Sequence, residues 1–178
     1  MAELAYARLR SAAHQAADTV RGNRKPSPET LPDLFLNAWS IIDSTNRLRI
    51  LLMHFPGMKR NFETKAFLAN TKGVVELRNQ VQHLDGDIER LAGLDEPTWG
   101  SLSWVVPDYP PTEELVVFSV TAVAGAIRDF SRPLVNPAGR QVRPPVDLVE
   151  LTSSGVTVSL SRILDGLDSV VAGLERDL

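Results

Sequence analysis

The sequence predicts an α+β fold, mainly α: a bundle of about four helices with a small antiparallel sheet inserted before the last one. Three observations carry this. Apolar residues recur at spacings of three and four in the first half and again at the C-terminus. Between residues 99 and 159 that pattern gives way to proline, aromatic and β-branched residues. The length of 178 residues, 43% hydrophobic and 23% charged, suits one domain with a buried core.

Residues 2 to 21 are alanine-rich, charged and free of helix breakers, and Gly22-Asn23 follows as a C-terminal cap. After the loop "NRKPSPETLPD", Leu34, Phe35, Ala38, Trp39, Ile42, Thr45, Leu48 and Leu52 define an amphipathic second helix that ends before Pro56-Gly57. A third helix is expected after "PGMKRN", with Val74, Leu77, Val81, Leu84, Ile88 and Leu91 as one narrow apolar seam ending near Gly93. "SLSWVV" reads as a strand. "ELVVFSVTAVAG" fits either a helix, through Val116, Val120, Val123 and Ile127, or a strand. Its β-branched content and the flanking Pro110-Pro111 and Gly125 favour the strand. Two β-rich runs around Ser153-Ser154-Gly155 read as a hairpin, which makes about four strands in all. The tail repeats Ile163, Leu164, Leu167, Val170, Val171 and Leu174 as a final helix.

Composition removes several function classes. With no cysteine, disulfides, zinc-thiolate sites and iron-sulfur clusters are excluded, and three histidines argue against a dedicated metal site. The N-terminus interrupts its apolar residues with Glu3, Arg8, Arg10 and Asp18, unlike a signal peptide, and no run reaches membrane-spanning length. A cytoplasmic protein without membrane partners is expected. The net charge of -3 disfavours nonspecific nucleic-acid binding through many phosphate contacts. Residues 128 to 143 hold Arg128, Arg132, Arg140 and Arg143 against Asp129 alone, and read as a solvated loop with surface arginines.

The segment "VVELRNQVQHLDGDIERL", residues 74 to 91, holds the candidate site. An arginine followed by histidine after four to six residues carries no information by itself: Arg8 with His14, Arg47 and Arg49 with His54, and Arg78 with His83 all satisfy it. Only the last has an asparagine, Asn79, directly after the arginine. With Leu77 at zero and about 100° per residue, Arg78, Asn79, Gln82 and His83 fan out opposite the apolar seam. Gly86 lies within that polar band, where the lack of a side chain lets another backbone or a ligand come close.

In these positions the chain resembles the HEPN (higher eukaryotes and prokaryotes nucleotide-binding) domains, four-helix-bundle proteins marked by arginine, a polar residue, and histidine a few positions on. The likeness covers the motif and the helical context of residues 31 to 94, which leaves 99 to 159 as a β-rich insertion in a single domain spanning 1 to 178. It implies a homodimer joined through the motif helix. It also implies metal-independent and cofactor-free RNA cleavage, as in toxins held by a protein antitoxin or in phage-defence effectors. His83 would then be the general acid or base at the 2′-hydroxyl and the leaving oxygen. Arg78 would stabilise charge on the phosphoryl group, with Asn79 holding the two in place. Members without cleavage act as interaction modules. Asp85, Asp87 and Glu89 follow His83 closely and would repel RNA phosphate.

Other residues have plainer readings. Asp43 and Arg47, four apart on the second helix, form a surface ion pair, or in the functional alternative line one groove with Arg78. His54 is placed at a helix C-terminus and His14 on the surface. Trp39 belongs to the core, and Trp99, Trp104 and Tyr109 cover the sheet or, as the alternative, make a partner surface.

Overall fold

The structure is a computed structural model and describes residues 1–56, 61–82, 99–108, 116–123, 126–135 and 142–176. Five helices are found among them: α1 (Ala2–Arg21), α2 (Thr30–His54), α3 (Phe62–Asn70), α4 (Lys72–Gln82) and α5 (Leu160–Arg176). Before α5 come the strands β1 (Ser101–Asp108), β2 (Val116–Val123), β3 (Ala126–Val135), β4 (Asp147–Ser153) and β5 (Val156–Ser159). The fold is therefore α+β, with an antiparallel sheet inserted ahead of the C-terminal helix. None of the described helices is long and apolar enough to cross a membrane.

Spacing explains the helix pairing. Ala5, Leu9, Ala13, Ala16 and Ala17 bury one stripe of α1, and their small side chains let α2 approach closely. From α2 come Leu34, Ala38, Ile41 and Ile42, each almost fully buried. Each large side chain so buried contributes about 1.5–3 kcal/mol. The end of α1 differs in detail from the sequence expectation. Gly22 keeps a negative φ, and Asn23 takes the left-handed conformation at φ 51° while its N–H donates to the Val20 carbonyl over 2.9 Å. Asparagine tolerates that region because its short polar side chain can bond locally.

The sheet runs in the order β3-β2-β1-β4-β5, every neighbour antiparallel. Central β1 buries Leu102, Trp104 and Val106 at every second residue, and β4 adds Val149 and Leu151 to the same core. The segment 116–123 is a strand, as its β-branched content requires. The predicted hairpin turns on Ser154 and Gly155, both at positive φ, with Ser153 paired to Val156. Two consecutive positive-φ residues form the tight turn whose twist suits a hairpin.

Two expectations need correction. Residues 126–135 form the edge strand β3, so Arg128 and Arg132 lie on a fifth strand and not in a loop. The expected third helix is two helices, because it breaks at Thr71. There the Thr71 hydroxyl donates back to the Phe67 carbonyl over 2.6 Å. From α2, Arg49 donates to the Leu68 carbonyl over 2.5 Å and also to the Thr71 hydroxyl. Arg49 thereby takes the acceptor that a continuous helix would offer to the Lys72 N–H. The seam beyond Val81 lies outside the described residues.

Arg49 is only 6% exposed and has no carboxylate partner among the described residues. Its compensating charge is the C-terminal end of α3, whose last carbonyls carry partial negative charge. Burial lowers its guanidinium pKa from the ordinary value, and the group nonetheless stays protonated.

A second polar node joins α1, β4 and α5. The register between β1 and β4 shifts where Leu148 sits at φ 50°, marking a bulge. Here the Val149 N–H donates to the Ser161 hydroxyl over 2.9 Å, and that hydroxyl bonds the Tyr6 hydroxyl at 2.7 Å. Burial raises the Tyr6 pKa, and the Ser161 bond offsets only part of the rise. Next to this node, Asp147 accepts hydrogen bonds from the Arg143 and Leu148 N–H groups over 2.9 and 2.8 Å and from the Arg143 side chain over 3.2 Å. Arg143 also reaches Asp165 on α5 over 2.7 Å. Burial alone would raise the Asp147 pKa, but these donors outweigh it and hold the carboxyl below its usual value.

Two predictions follow from these nodes. Arg49→Ala should lower stability by about 2–4 kcal/mol, since it strands the Leu68 carbonyl and opens a cavity. Arg49→Met, which keeps the packed stem, should lose less, and urea denaturation measures both. Asp147 has a depressed folded-state pKa, so its contribution is present above the unfolded value of about 3.9 and is lost as pH falls through the folded one. Asp147→Asn should therefore cost about 2–3 kcal/mol at pH near 7 and progressively less towards pH near 3. A gap that does not change with pH would contradict this sign.

Candidate nucleic-acid site on the α2–α4 face

The seam of α4 fixes where its polar residues point. Val74 and Leu77 are fully buried, which turns Arg78 towards α2 and leaves Asn79 exposed. The Arg78 Nε stands 3.3 Å from Asp43 Oδ1, and Arg47 Nε stands 2.8 Å from the other oxygen, Oδ2. The expected Asp43–Arg47 pair is present, and the same carboxylate also holds Arg78. Side-chain exposure is 30% for Arg78, 40% for Asp43 and 75% for Arg47, so the three groups meet at the surface. One carboxylate thus serves two guanidiniums, the side chain best matched to phosphate oxygens.

Of the expected triad, the structure thus places Arg78 and Asn79 next to one another on α4. His83 lies outside the described residues, as do Gly86, Asp85, Asp87 and Glu89. Gln80, half-buried on the same helix, has a buried Oε1 with no hydrogen-bond donor. The other arginine–histidine spacings form no comparable cluster. His14 Nε2 lies 3.6 Å from Asp18, while Arg49 turns inward to the α3–α4 corner and His54 is exposed.

The aromatic residues divide differently from the expectation. Trp104 is 1% exposed and belongs to the core, whereas Trp99 is 48% exposed. Trp39 packs half-buried against the core and donates its Nε1–H to the Trp99 carbonyl over 3.3 Å. Tyr109 lies outside the described residues. Of the basic run, Arg143 is committed to Asp147 and Asp165, and Arg140 is not among the described residues. No group of three His, Asp or Glu side chains converges as metal ligands would among the described residues.

Sequence reasoning missed Arg49, which sets the start of the motif helix through Thr71. A signal was present: position 49 lies four residues after Thr45 and three before Leu52, on the stripe otherwise filled by core residues. A charged residue at such a position calls for a buried polar partner.

No protein-family model matches the chain, and neither a curated protein nor a solved structure matches it.

The Arg78–Asp43 contact is partly exposed, so its energy should be small and screened by salt. A double-mutant cycle with Asp43→Ala and Arg78→Ala should give a coupling of about 0.2–1 kcal/mol that shrinks in molar salt.

Proposed function

We propose that this protein is a metal-independent ribonuclease of the HEPN type, with Arg78, Asn79 and His83 as its site and a second copy of the chain completing it. The observation that carries this reading is the Arg47–Asp43–Arg78 cluster. It holds the motif arginine partly exposed at the surface with a second guanidinium on the same carboxylate, an arrangement that suits a phosphate. In the mechanism, His83 takes the proton from the RNA 2′-hydroxyl, which attacks the adjacent phosphorus. Arg78 stabilises the charge on the phosphoryl oxygens, and a proton passes to the departing 5′-oxygen. Asn79, on the exposed side of α4, orients the RNA or the histidine. The imidazole suits this work because it titrates near neutral pH.

A second reading has its own observation: Asp43 already provides a counter-charge to Arg78. On that reading α2 and α4 present a polar interaction surface without catalysis, and the overall acidic charge fits a protein partner better than RNA.

Cleavage of a mixed RNA pool in the presence of a chelator separates the two. Wild type should cleave, while Arg78→Ala and His83→Ala at matched oligomeric state should lose at least about a hundredfold, the usual scale for removing an acid–base or charge-stabilising group. Absence of cleavage by wild type, together with altered self-association in the variants, would instead establish the interaction surface.

A further inference from the structure

A cleft of about 650 Å³ opens between α3, the β4–β5 hairpin and α5, and neither Asp43 nor Arg78 lines it. Its size falls within the range of roughly 300–1,000 Å³ common for small-molecule sites. Four of its lining residues are charged: Glu63, Glu150, Arg162 and Asp165. Glu63 pairs with Arg176, and Asp165 pairs with Arg143, which it shares with Asp147. The side chains of Glu150 and Arg162 have no hydrogen bond or ion pair to any described residue, nor do they pair with each other.

These two unpaired charges sit close in the chain topology. Glu150 on β4 is register partner to Ser159 at the end of β5, and Arg162 follows three residues later in the first turn of α5. Glu150 is half-buried, where a carboxylate without a partner is poorly compensated, and Arg162 is exposed. Phe67, 3% exposed, and Phe62, 82% exposed, supply an apolar wall running from the cleft interior to its mouth. Gly166 allows this wall to form, since a Cβ there would come within 3.0 Å of the Phe67 ring.

We infer that the cleft binds a small zwitterion with an apolar substituent, the chemistry of a free α-amino acid. The ammonium pairs with Glu150, the carboxylate with Arg162, and the side chain lies against Phe62 and Phe67. An amino acid inside a peptide chain lacks both charges, so the site selects the free form. The inference is independent of RNA cleavage, because it uses none of the α2–α4 residues.

Calorimetric titration of the full chain with L-phenylalanine, L-leucine and the remaining standard amino acids tests it, with phenethylamine and 3-phenylpropionate as single-charge analogues. Apolar amino acids should bind, and each analogue of phenylalanine should bind at least about tenfold more weakly, the scale of one charge-assisted hydrogen bond. Glu150→Gln and Arg162→Gln should each weaken L-phenylalanine by a similar factor. Neither should shift the melting temperature, since neither side chain has a partner to lose. Failure of every amino acid to bind at millimolar concentration would overturn the inference, as would affinities untouched by both substitutions.

Discussion

The corner between α3 and α4 turns on a guanidinium buried where the chain could have placed a leucine. Arg49 reaches from α2 to the corner between α3 and α4 and takes the carbonyl of Leu68. Because the negative end of α3 compensates it, the charge can stay inside without a carboxylate. The direction of α4 follows from that corner, and with it the position of Arg78 beside Asp43. A hydrophobic residue at 49 could fill the space, but it would leave the last carbonyls of α3 without that donor.

This dependence also explains what could be read in advance. Helices α1 and α2 and the final helix were legible because their apolar stripes repeat locally, as did the tight turn at Ser154-Gly155. The break at Thr71 was not, since its cause is a side chain 22 residues away in the chain. Residues 128 to 143 read as a loop from their arginines, and Arg128, Asp129, Arg132 and Pro133 give 126–135 no clean alternation. As an edge strand, β3 does not need it: charged residues and a proline are what keep a sheet edge from pairing with a second chain.

The candidate site shows the same division between local and distant information. The placement of Arg78 and Asn79 on the polar side of α4 follows from the seam, and the Asp43–Arg47 pair from a spacing of four. That one carboxylate serves both α2 and α4 depends on helix packing, which periodicity cannot express. The unpaired charges Glu150 and Arg162 were equally hidden, being ordinary polar residues in a strand and a helix until the hairpin and α5 bring them to one cleft.

The joint between β5 and α5 has a mechanical meaning. Ser159 ends the strand and Leu160 begins the helix, with no residue between them. Leu160 is fully buried and Ser161 is bonded to β4 and α1, so neither element can swing without the other. The hairpin and the C-terminal helix therefore behave as one lever. Gly166 on that helix lies against the Phe67 ring, so the same unit also abuts α3.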